Sequence, residues 1–261
     1  MKKKILALCL VVVLVATAIT GVTLAYFTDV TATKTNTFTM GKVDIKLEEP
    51  KWNPDEDHKL MPGATYEKDP TITVAADSED CYMFLDVTLN KYKSLAPTMA
   101  KYAVAKNYIT QELFDSFCET ENEKTVFKTS KFLSHFMNND MATLRIILND
   151  WFVGINHADW KIVDFGYDCA RDDIDGTGNW LTLRLAFIGS EDAILTKNET
   201  VKFMDAFTMP SDVTEDMLDH NLTENMFYEN GNFIIDFTAY AIQAQELDDV
   251  DAAYTAYFTQ N

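Results

Sequence analysis

A chain of 261 residues, 47% of them apolar, is long enough to bury a core of its own. Its 41 acidic residues against 22 basic ones give a formal charge of −19, which repels nucleic acid and anionic membrane and argues against either as a partner. Four cysteines in this length do not make a disulfide scaffold.

The chain opens Met1-Lys2-Lys3-Lys4 and then carries no charge from Ile5 to Thr28. A basic start, an apolar stretch and a small-residue end describe an export signal. Its most apolar part, Ile5 to Ala16, is short for a span; an uncleaved anchor is the alternative, and membrane contact is expected only through such a leader. Two cleavage sites are open, after Ala16-Thr17-Ala18 and after Thr23-Leu24-Ala25. The leader holds three lysines and no acid, so its removal leaves a more negative chain. Cys9 goes with it. Cys81, Cys118 and Cys169 remain, an odd number, and are read as small core residues.

Ala25 to Leu47 reads as two extended segments. Tyr26, Val30, Ala32, Phe38 and Met40 alternate with Asp29, Thr31, Thr33, Thr35, Thr37 and Thr39; Val43, Ile45 and Leu47 continue the pattern. The polar Lys34-Thr35-Asn36 lies between them as a joint. Glu48 to Asp69 is a loop punctuated by Pro50, Pro54, Pro62 and Gly63. Thr71 to Val74 and Cys81 to Leu89 are strands, Tyr82, Phe84, Asp86 and Thr88 alternating with Met83, Leu85, Val87 and Leu89.

From Ser94 to Asp150 the period becomes helical: Ile109, Leu113, Phe114 and Phe117 fall on one face, and Leu144, Ile147, Leu148 and Trp151 on another. Phe127, Phe132 and Phe136 suggest a helix between these two, and Asn139-Asp140 a helix start. Strands resume at Trp160–Tyr167 and Trp180–Phe187, joined by turn residues Asp172–Asn179 in the strongest hairpin signal of the chain. Thr200–Phe207 predicts a strand, Ser211–Asn221 a short helix, Phe233–Ala244 a long last strand, and Val250, Ala253, Tyr254 and Tyr257 a terminal helix. Trp52, Trp151, Trp160 and Trp180 are expected in the core. Together these predict a mainly β, antiparallel sandwich of one domain over 26–261, with a helical insertion at 94–150.

No cofactor is expected. A zinc hydrolase needs His-Glu-x-x-His or its equivalent, whereas His58, His135, His157 and His220 are isolated and none precedes Glu. Asp173-Ile174-Asp175-Gly176-Thr177-Gly178 mimics a calcium loop, but Arg184 stands where the bidentate Glu belongs, so a hairpin turn is favoured. There is no Gly-x-Ser-x-Gly and no Cys–His pattern for nucleophilic catalysis.

Ala25-Tyr26-Phe27-Thr28-Asp29, then Asn36-Thr37-Phe38-Thr39-Met40-Gly41-Lys42-Val43-Asp44-Ile45-Lys46-Leu47, resembles the mature start of TasA/camelysin-type proteins. Pro62-Gly63 with Lys68-Asp69-Pro70 resembles that family's strand entry, although its Asn-x-Gly is replaced here by Ala75-Ala76-Asp77-Ser78. Ala239-Tyr240-Ala241-Ile242-Gln243-Ala244 resembles a second stretch near its end. The resemblance implies a jelly roll and cleavage between Ala25 and Tyr26 by a signal peptidase of the ER type. It implies a secreted subunit that polymerises with itself into biofilm-matrix fibres, with an accessory fibre protein as a further partner. In the implied strand exchange, Tyr26, Val30 and Ala32 fill a neighbour's pockets and Lys34, Thr35 and Asn36 form the hinge. An edge strand folded back on its own domain is the plainer reading. The resemblance also carries an alternative, a camelysin-type surface metalloprotease.

Overall fold

Strand β5, Cys81–Leu89, is buried at every position and is the spine of the largest sheet. Met83, Leu85, Val87 and Leu89 face the main core, while Tyr82 and Phe84 are buried on the other side. A strand apolar on both faces needs cover on both, and the rest of the fold supplies it. The computed structural model describes residues 28–31, 42–53, 60–121, 123–168, 180–218 and 233–259.

Beside β5 lie the last strand β14, Ile235–Gln243, and β10, Trp180–Phe187, both antiparallel to it. Strand β9, Trp160–Asp168, pairs with β10, and β1, Thr28–Thr31, pairs with β14, giving the order β1-β14-β5-β10-β9. The short β11, Ile194–Leu195, extends the β10 side of β5. The β9–β10 register slips between Arg184 and Leu185, a bulge that strengthens the twist at this edge.

A second sheet orders β12 (Thr200–Lys202), β4 (Thr71–Val74) and β2 (Ile45–Glu48). Its Ile45, Ile72 and Val74 share one core with Met83, Leu85 and Val87 of β5. A third joins β3 (Thr65–Glu67), β13 (Ala206–Thr208) and β8 (Phe152–Val153). Among the described residues the protein is mainly β, with more strand than helix and several antiparallel sheets, as predicted.

The helical stretch holds α1 (Tyr92–Ala105), α2 (Gln111–Ser116), α3 (Thr129–Asn139) and α4 (Met141–Trp151). Asp140 caps α4 by accepting from the Thr143 amide at 3.1 Å, the start its sequence signals. This stretch docks on the third sheet through Trp151 at the end of α4, whose ring centre lies 6.5 Å from that of Phe207. Helix α5, Val250–Phe258, closes the described chain and is capped by Asp249. Among the described residues no helix is long and apolar enough to cross a membrane.

Four expectations need correction. The loop expected over Glu48–Asp69 contains strand β3, Thr65–Glu67, held by its ladder with β13. The helical stretch also contains a hairpin, β6 (Cys118–Glu121) with β7 (Lys124–Phe127), so Phe127 lies on a strand rather than in a helix with Phe132. Its turn is set by Glu123 at φ 65°, a left-handed conformation that ends helical continuation. The expected strand Thr200–Phe207 breaks at Phe203 and Met204, 3% and 0% exposed. Adjacent side chains cannot both enter one core from a regular strand, so the chain crosses from the second sheet to the third there. The described part of the expected helix at Ser211–Asn221 is a run of turns to Leu218.

Trp151, Trp160 and Trp180 are buried, as predicted. Trp52 is half-buried beneath a cation, Lys68 Nζ standing 4.3 Å from its ring centre. Cys81 is buried and Cys118 half-buried, both free thiols; burial pushes the Cys81 thiol up to about 12.

Candidate functional site

The segment that the sequence singles out enters the described structure as β1. Its backbone pairs antiparallel with β14: Thr28 opposite Ile242, Asp29 opposite Ala241, Val30 opposite Tyr240 and Thr31 opposite Ala239. Strand β1 ends the sheet, so it is an edge strand on its own chain. Ala25, Tyr26, Ala32, Lys34, Thr35 and Asn36 lie outside the described residues, as does the leader. Val30 alone is placed, opposite Tyr240.

The receiving strand has two different faces. Ala239 and Ala241, fully buried, turn to the main core. Tyr240 and Ile242 turn to the opposite face, where α5 covers them together with Tyr82, Phe84 and Ala186. The Tyr240 ring lies 5.6 Å from that of Tyr257 and 5.4 Å from that of Phe258, both edge-on, and Phe258 lies 5.3 Å from Phe84. Edge-to-face contacts of this kind fix ring orientation as well as burying area.

Beyond these rings the same face becomes polar. Arg184 donates from Nε and Nη2 to the two oxygens of Asp86, both at 2.7 Å, and its guanidinium carbon lies 3.6 Å from the centre of the Phe258 ring. Burial opposes the charge of Arg184, but the Asp86 bond more than offsets it and raises its pKa. Burial and Asp86 together push the Tyr240 phenol up to about 12. Tyr254 of α5 donates to Asp164 of β9 at 2.8 Å. Beside this network lies a shallow cavity of about 250 Å³, lined by Asp86, Asp164, Phe165, Gly166, Tyr167, Thr182 and Arg184.

Of the four histidines, His135 and His157 are described, each in a setting of its own. His135 sits edge-on between Phe117 and Phe136, with ring centres 5.5 and 5.0 Å away. The His157 Nε2 lies 3.1 Å from Asn149 Oδ1, and burial and Arg145 lower its pKa. His58, His220 and the Asp173–Gly178 loop fall outside the described residues. Among the described residues no group of three or more His, Cys, Asp or Glu side chains could hold a metal ion.

Sequence reasoning missed Arg184, Tyr257 and Phe258 as partners of the N-terminal strand's seat. Ala239–Ala244 resembles the family's second stretch, but nothing in its alternation shows which helix covers Tyr240.

The class defined by these features is a β-sheet protein with an N-terminal edge strand laid on its C-terminal strand. Residues 1–94 match the family described as Camelysin metallo-endopeptidase. The resemblance to TasA/camelysin-type proteins read from the sequence holds over that stretch. The match covers β1 to β5 and ends inside α1, where the helical stretch begins. No curated protein and no solved structure matches the chain.

Proposed function

We propose that this chain is an exported structural subunit that polymerises into extracellular fibres of the biofilm-matrix type. The N-terminal strand of one copy completes the sheet of the next. The observation that carries this reading is the β1–β14 ladder: a four-residue edge strand, just behind the leader, paired with the last strand of the largest sheet. Such a strand can be traded for the same strand of a neighbour with every ladder bond remade, so exchange costs little once the end is free. Removal of the leader between Ala25 and Tyr26 frees that end, and a signal peptidase of the ER type is the partner for this step.

In this reading Tyr26, Val30 and Ala32 seat in the neighbour, Lys34 to Asn36 is the hinge, and the two facing sheets are those of a jelly roll. Self-association is the main partnership, with an accessory fibre protein at the anchored end. Without the leader's three lysines, 19 basic residues stand against 41 acidic ones, and this formal charge of −22 keeps the exported monomer soluble until cations or a partner screen it. The test is electron microscopy of the purified mature protein over time, alongside a Val30→Asp variant. Fibres from wild type and none from the variant support the reading; a wild type that stays monomeric under all salt conditions contradicts it.

The description of the matching family favours a second reading, a surface metalloprotease. Casein hydrolysis by the purified protein, abolished by a chelator and by joint replacement of His58, His135, His157 and His220, would establish it. Equal casein stability with and without the protein would exclude it.

A further inference from the structure

We propose that the C-terminal helix α5 holds in shape the sheet edge that receives the N-terminal strand of a second copy, with Tyr257 and Phe258 as its positioning residues. The inference rests on the strand-exchange reading above and adds to it the element that keeps the receiving edge in shape.

The seat that β1 occupies has two components. One is the backbone of Ala239 to Ile242, which supplies the ladder. The other is the set of side chains on β14 that face away from the main core, Tyr240 opposite Val30 and Ile242 opposite Thr28. These two belong to a small satellite core of Tyr82, Phe84, Ala186, Ile242 and Ala253, packed by Tyr240, Val250, Tyr254, Tyr257 and Phe258. Four of those last five residues come from α5.

When β1 departs, β14 becomes the edge of the sheet. Its inner face stays held by Ala239 and Ala241 in the main core. Its outer face is then held by α5 and by Phe84 beneath it, because Tyr240 contacts Tyr257 at 5.6 Å and Phe258 at 5.4 Å. Phe258 is itself anchored, resting on the Arg184 guanidinium that Asp86 fixes in place. An edge strand ordered on both faces presents its unpaired amides and carbonyls in register, which is what an incoming strand requires. The occupant is a second copy's β1, since the same segment already sits there within one chain.

The experiment uses the full mature chain in three forms: wild type, Val30→Asp, and Tyr257→Ala with Phe258→Ala. Growth is followed by light scattering, and secondary structure by circular dichroism. Val30→Asp is impaired as a donor and the helix variant as a receiver, so each alone should grow at least about tenfold more slowly than wild type, the scale set by the lost aromatic contacts. Mixed in equal amounts they should form a discrete dimer, the intact β1 of the helix variant entering the intact seat of Val30→Asp. A helix variant that grows at the wild-type rate overturns the inference and leaves strand exchange standing. A mixture that yields no dimer also overturns it, because the defect then lies elsewhere than in receiving. Val30→Asp growing like wild type sinks the strand-exchange reading and this inference with it. Should the double variant lose its strand signal, Tyr257→Leu, at a half-buried position, is judged by the same outcomes.

Discussion

Arg184 and Asp86 face each other across β10 and β5 as a bidentate pair, two hydrogen bonds of 2.7 Å with the Asp86 side chain only 6% exposed. Such a pair contributes little over an apolar replacement, yet breaking it strands a buried charge. Arg184→Ala is therefore expected to cost about 3–5 kcal/mol, read from urea unfolding. Replacing both partners, Asp86→Leu with Arg184→Met, should recover most of that loss. A single variant as stable as wild type would contradict the assignment.

The same face makes the protein sensitive to alkali. Tyr240 is pushed up to about 12 by burial and then by Asp86, and Tyr254 is raised by burial and its bond to Asp164. Unfolded tyrosines ionise near 10.0 and these two later, so the unfolded chain loses its protons first. The stability they contribute is present below pH 10 and falls as the pH rises through about 12. Phenolate absorbance and circular dichroism recorded together should show their ionisation arriving with unfolding. Tyr240→Phe should move the alkaline midpoint upward, and an unchanged midpoint would be evidence against this cause.

Gly154 holds the turn between β8 and the strands that follow, at φ +83°. A Cβ there would lie 2.1 Å from Asp205 Oδ2 and 3.0 Å from its Cβ, so strain and overlap add. Gly154→Ala is expected to lose at least about 1 kcal/mol, lowering Tm by about 2–4 °C or more. Thermal unfolding followed by circular dichroism checks this directly.

The strands Cys81–Leu89, Trp160–Asp168 and Trp180–Phe187 were legible from their runs of aromatic, β-branched and aliphatic residues between turn signals, although Cys81–Leu89 is buried on both faces and not at period two. Helix α5 was legible from Val250, Ala253, Tyr254 and Tyr257. The hairpin inside the helical stretch was hidden, since Phe127 fits the helical spacing of Phe132 and Phe136 while its strand partner Cys118 lies across a turn. The break at Phe203 was hidden for a related reason: which sheet a strand joins is decided by packing far along the chain. Of the candidate site, the family-like stretch at the N-terminal end, inside the matched residues 1–94, was readable. Its pairing, Val30 with Tyr240, is a contact across most of the chain and no local pattern records it.

The central claim is that the segment from Tyr26 to Thr33 acts between copies. Two apolar side chains seated in a neighbour contribute about 1.5–3 kcal/mol each before ordering entropy is subtracted, and each ladder bond about 1 kcal/mol net. The decisive measurement is the growth rate, by light scattering, of the wild-type mature chain against Val30→Asp and against a chain beginning at Thr35. All three should give the same strand signal by circular dichroism, and only wild type should form fibres. If the chain beginning at Thr35 forms fibres as fast as wild type, the N-terminal strand is not the donor and the account is wrong.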